Sequence, residues 1–153
     1  MNAWLACASV LLVAGLFPVV WGVATGLLGR RVVAQNFGTS VVCLVMLLLA
    51  QGYGRPAYTD LALVLAVLGP VGTLVYARLL ADELGEVPQK AQLPTVLAAA
   101  ATVPVVIASC VAAGPGRAAV KLAVVGVLLI AGNVISSRTL SGAYLESSEA
   151  RRD

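Results

Sequence analysis

Residues 3–29 contain no charged side chain, and four further stretches (32–51, 61–77, 93–116 and 122–137) share that property. An apolar helix of about 20 residues crosses the roughly 30 Å hydrocarbon core of a bilayer. Five such stretches in 153 residues leave little chain for anything outside a membrane. In lipid, only helices and closed barrels satisfy the backbone polar groups, and these runs lack the alternation of barrel strands. The expected fold is therefore an all-α membrane protein of about five transmembrane helices.

Composition narrows the function. Charged residues make up 11% of the chain, against about 25% in soluble domains. Histidine is absent, which removes the commonest general base and the commonest metal ligand. Cys7, Cys43 and Cys110 lie singly in separate spans and form no CxxC pair. They read as small apolar packing residues. With no nucleophile–base pair and no ligand cluster, neither an enzyme nor a cofactor is expected. The net charge of +3 does not point to nucleic acid, because its distribution speaks to topology.

The first span lacks the basic leader of a secretory signal and is too long for one, so it is expected to be a retained helix. Turns are expected at Gly29-Arg30-Arg31, at 52–59 and at Gly114-Pro115-Gly116-Arg117, because Gly and Pro interrupt helices. A longer polar linker spans 82–92, and 145–153 reads as a frayed polar tail. With five spans, one side receives Arg30, Arg31, Arg78, Lys90, Arg138, Arg151 and Arg152, and the other Arg55, Arg117 and Lys121. The positive-inside rule puts the first side in the cytoplasm, with the N-terminus outside and the C-terminus cytoplasmic.

No ionisable residue is expected at mid-bilayer, where proton and cation carriers usually keep one. Asp60 and Lys121 fall at the outer ends of spans at similar depth, where a partly solvated contact is open to them. Arg31, Arg78 and Arg138 mark inner ends, where long basic side chains snorkel. Polar residues inside the spans are neutral. Asn36, Thr39 and Ser40 share one helical face, and Asn133, Ser136 and Ser137 lie on the last span. Such groups either bind neighbouring helices or line a cation path. Gly22 and Gly26 form a GxxxG step for close helix approach. Pro18, Pro70 and Pro104 fall inside spans and are expected to bend them.

Two passages carry a family resemblance. Arg31-Val32-Val33-Ala34-Gln35-Asn36 opens the second span, and Tyr58-Thr59-Asp60-Leu61-Ala62-Leu63-Val64-Leu65-Ala66-Val67-Leu68-Gly69-Pro70-Val71-Gly72-Thr73 leads to Tyr76-Ala77-Arg78. With the three-span hydropathy of 1–81, they resemble the F component of the Mrp-type multi-subunit sodium/proton antiporter. That family commonly shows Arg-Val-Val-Ala-Leu-Asp followed by Leu-Asp-x-Ala-Leu-Val-Leu-Ala-Leu-Leu-Gly-Phe-Val-Gly-Thr. Residues 88–144, which include the hairpin at 93–144, more weakly resemble the last two helices of the G component of the same antiporter, through Lys90, Val120-Lys121-Leu122 and Ser136-Ser137-Arg138 to Ala143-Tyr144. The histidine-bearing loop usual in the G family is absent. Asn36 stands where the F family carries an aspartate, and an amide cannot titrate. Asp60 keeps its carboxylate.

The resemblance implies a non-catalytic, multi-pass subunit of the prokaryotic plasma (inner) membrane. Its partners would be other integral membrane subunits of an antiporter-type complex, or of the membrane arm of a respiratory hydrogenase, with Na⁺ and H⁺ as transported ions. Asn36, Thr39 and Asp60 are the ion-path candidates. A small stand-alone homo-oligomeric transporter is the alternative from a different class.

Overall fold

The structure, a computed structural model, describes residues 2–25, 28–79 and 92–150. They form five α-helices: α1 Ala3–Thr25, α2 Leu28–Tyr53, α3 Ala57–Leu79, α4 Gln92–Ala113 and α5 Arg117–Ala150. All five contain a stretch long and apolar enough to cross a membrane. Nearly all of the linker expected at 82–92, including Lys90, lies outside the described residues.

The tight turns form where glycine permits them. Gly54 (φ 64°) and Gly114 (φ 69°) occupy the left-handed region that favours glycine. After α2, the Arg55 N–H donates to the Ala50 carbonyl at 3.1 Å, a Schellman-type closure that satisfies an orphan carbonyl. Thr59 and Asp60 then donate to the Pro56 carbonyl and start α3. At the other end of the chain, Leu5 and Ala6 donate to the Asn2 carbonyl, and the Asn2 amide reaches the Gly52 carbonyl at 3.4 Å. This pins the start of α1 to the end of α2.

Two expected boundaries move. The turn expected at Gly29-Arg30-Arg31 is helical, because α2 already begins at Leu28. Arginine is a good helix former, and a single glycine weakens a helix without ending it. The tail expected to fray at 145–153 is helical as far as Ala150. Nothing after Pro115 contains proline. The i to i−4 ladder therefore continues where the apolar stretch stops at Ser136. Helices α1, α3 and α4 likewise run unbroken past Pro18, Pro70 and Pro104.

Helices α2, α3, α5 and α4 form a four-membered ring in that order, and α1 lies outside it against α2. The ring closes on a core of Cys43, Leu44, Leu47, Ala62, Ala66, Leu122, Val125 and Leu129. Half of the α2 span is buried, against 11% of the α1 span. The outer faces of α1 and α4 carry exposed Val10, Val13, Phe17, Val96 and Val111, as expected for helices solvated by lipid chains. Helix α1 meets the ring through Ala8, Gly15 and Gly22, its buried residues, spaced seven apart along one face. A methyl group added at Gly15 would lie 2.5 Å from Val41 Cγ1, and one at Gly22 would lie 3.0 Å from Ala34 Cβ. The second glycine of the expected GxxxG step, Gly26, lies outside the described residues.

Candidate functional site

One set of polar side chains within the bundle lies at the end that carries Arg31 and Arg138. Helices α2 and α5 run antiparallel, so Asn36, five residues after Arg31, faces Asn133, five residues before Arg138. The Asn36 Nδ2 donates to Asn133 Oδ1 at 2.9 Å, and Asn133 Nδ2 donates to Ser40 Oγ at 3.4 Å. Ser40 itself donates to the Asn36 carbonyl. Asn133, Ser40 and Ser136 are each at least 95% buried. Ser136 lies one turn beyond Asn133 on the same buried face, and its Oγ has no hydrogen-bond partner. An orphan buried polar atom costs about 1–3 kcal/mol.

Beside this cluster, α2 and α3 enclose a groove of about 370 Å³. Its apolar wall includes Val32, Leu65 and Leu68, and its polar wall Gln35, Asn36, Thr39, Thr73 and Tyr76. Gly69 and Gly72 line it as well, and at Gly69 the helices come close. A methyl there would lie 2.9 Å from Thr39 Cγ2 and 3.8 Å from Asn36 Oδ1. The Thr39 and Thr73 hydroxyls donate to the carbonyls of Gln35 and Gly69, both at 3.1 Å, within their own helices. Asn36 therefore belongs both to the groove wall and to the buried cluster.

Of the expected site residues, Asn36 and Thr39 come together in the groove, and Asp60 does not. It sits in the first turn of α3, nine residues or about 13 Å of helix from Gly69. There it accepts a hydrogen bond from Lys121 Nζ at 2.6 Å, in a salt bridge whose side chains are 59% and 51% exposed. Arg31, Arg78 and Arg138 are exposed at the opposite end of the bundle, hereafter the arginine end. Gly22 packs on α2 as described. Among the described residues there is no group of His, Cys, Asp and Glu able to hold a metal.

The exposed pair sets a modest expectation. Asp60→Asn should destabilise the protein by no more than about 1 kcal/mol, and high salt should shrink that difference. Arg138→Gln, which has no ion-pair partner among the described residues, should cost less. Thermal midpoints in detergent at low and high salt check both, and equal tolerance would remove the special role of Asp60.

Reading the sequence alone misses the Asn36–Asn133 pairing, although a signal exists. Both amides stand five residues from an arginine at the same membrane end. The packing face of α1, Ala8, Gly15 and Gly22, is known from their burial in the structure.

Length, apolarity and the ring of packed spans define a polytopic α-helical membrane protein whose interior holds a hydrogen-bonded amide cluster at one end. Residues 30–81 match the family described as Multiple resistance and pH regulation protein F (MrpF / PhaF), so α2 and α3 form an MrpF-type segment. This bears out the resemblance to the F family there, and the matched region ends ahead of α4 and α5. No curated protein and no solved structure matches the chain.

Proposed function

We propose that this chain is a non-catalytic integral membrane subunit of an Mrp-type monovalent cation/proton antiporter, seated beside larger ion-moving subunits. The observation that carries the reading is the MrpF/PhaF match across α2 and α3, the two helices that build the groove. The core supports an accessory role. Between the amide cluster and the Asp60–Lys121 end, the ring is filled by Leu44, Leu47, Leu122, Val125 and Leu129. Moving an ion through that apolar plug would leave it unpaired in a low dielectric, at a cost of several kcal/mol. Ions therefore pass outside the ring, and the groove wall at Asn36 and Thr39 is the face offered to them.

In this reading residues 1–81 are the MrpF-like module. Residues 93–144 are a hairpin like that of the G component, packed on it within one chain, and 145–153 extend from it. The chain lies in a prokaryotic plasma membrane, with the arginine end in the cytoplasm. Asp60 and Lys121 fasten the outer ends of the two modules, and the Asn36–Asn133 bond fastens them near the inner end.

Purification in mild detergent tests the proposal. Large antiporter-type membrane chains should co-purify with it in fixed proportion. Recovery with hydrogenase subunits would reassign it to a respiratory membrane arm, and recovery as a lone homo-oligomer would overturn the accessory role.

A further inference from the structure

The Ser136 hydroxyl, 2% exposed and on the same face of α5 as Asn133, takes no part in the bonds of the amide cluster. The Ser9, Thr25, Thr39, Ser40, Thr73 and Thr102 hydroxyls each donate to the carbonyl four residues back in their own helix. Ser136 does not. The Ser109 hydroxyl is also buried without a partner, but it stands on α4 near the Asp60–Lys121 end, away from the groove. A hydroxyl without a partner in a lipid-embedded bundle needs one, and a buried water takes that role where two to four polar groups converge. One turn from Ser136 on the same face of α5, Asn133 carries the bonds to Asn36 and Ser40.

Water also has a route. Asn36 forms part of the groove wall, and the groove extends from Val32 and Tyr76, near the arginine end, inward to Thr39 and Leu65. Gly132, next to Asn133, is in contact with Pro70, which adjoins the groove residues Gly69 and Val71. The groove and the cluster therefore stand at the same depth, separated by the Asn36 side chain. Beyond them, Cys43, Leu44, Leu122 and Val125 are at most 1% exposed and form an apolar stop.

We propose that the α2–α3 groove and the Asn36–Asn133–Ser40–Ser136 cluster form one water-filled inlet. It opens at the arginine end and terminates at the Leu44–Val125 plug. The ligand it takes is water, bound to neutral amide and hydroxyl groups. The inference does not depend on the antiporter reading, because it concerns solvent access to this chain alone.

Thiol accessibility in the full chain tests it. With Cys7, Cys43 and Cys110 changed to Ala, single reporters Ser136→Cys and Val125→Cys are introduced. Each is exposed in sealed membrane vesicles to a charged, membrane-impermeant methanethiosulfonate reagent. Because thiol attack requires access, the Ser136→Cys reporter should react about tenfold or more faster than Val125→Cys, and only from the arginine end. Ser40→Cys, nearly isosteric at a second buried position of the cluster, serves as reporter should Ser136→Cys fail to insert. Equal rates at cluster and plug, whether fast or slow, overturn the inlet, as does labelling of the cluster from the Asp60 end.

Discussion

Gly132→Leu is expected to abolish recovery of a folded, monodisperse protein. Even a methyl group at position 132 would overlap the ring of Pro70, at the contact between α3 and α5. The proline ring has no rotamer by which to withdraw, so the helices would have to separate. Overpacking a filled site costs about 1–3 kcal/mol where neighbours can shift, and more where they cannot. Separation would also strain the Asp60–Lys121 pair and the Asn36–Asn133 bond, since both join the same two halves of the chain. The measurement is the yield and thermal midpoint after detergent extraction. Gly72→Ala is the internal control, because a methyl there meets nothing within 4 Å. A normal midpoint for Gly132→Leu would mean that α3 and α5 do not touch at this level.

Asn36→Asp carries the second large expectation. The substitution removes the Nδ2 donor that satisfies Asn133 Oδ1 and sets a carboxylate against that oxygen. An ionised aspartate at the centre of a span costs about 2.5–3.5 kcal/mol on insertion scales, and less near the arginine end. Asn133→Ala removes two interhelical hydrogen bonds, to Asn36 and Ser40, each worth about 0.6 kcal/mol on average in membranes. The carboxylate variant should be the less stable of the two, read from thermal midpoints in matched detergent, because it loses the Asn36 bond and adds an unpaired charge inside the bundle. In an assembled complex it should also alter the cation dependence of transport, since Asn36 stands on the groove wall. A cation dependence identical to that of the unmodified protein would leave Asn36 a packing residue only. The asparagine amide pairs with Asn133 on α5 as an aspartate carboxylate could not. In this chain, the same-chain hairpin occupies one side of a residue whose other side remains open to the groove.

The groove brings together two of the three expected ion-path residues and leaves the third apart. Asn36 and Thr39 lie one turn apart on α2, so their shared face was readable from helical periodicity. Asp60 sits on a different helix at the far end of its span. Its proximity to Lys121 was foreseeable from equal membrane depth, because α3 and α5 both start at that end and run parallel. Its distance from the groove is the other consequence of that depth.

The number of spans, their approximate limits, the glycine turns at Gly54 and Gly114 and the MrpF-type character of α2 and α3 were all written in the chain itself. Those features follow from local quantities: the length of an uncharged run, the backbone freedom of glycine and the order of residues in a motif. Helices that are apolar all round give no periodic sign of which face meets protein and which meets lipid. Only the tertiary structure decided that α1 stands outside the ring on Ala8, Gly15 and Gly22, that α2 opposes α5 through Asn36 and Asn133, and that Ser136 is buried without a partner. Lipid solvates every apolar face equally well, so those choices rest on steric fit and on pairing the few polar groups, and both depend on the register between helices.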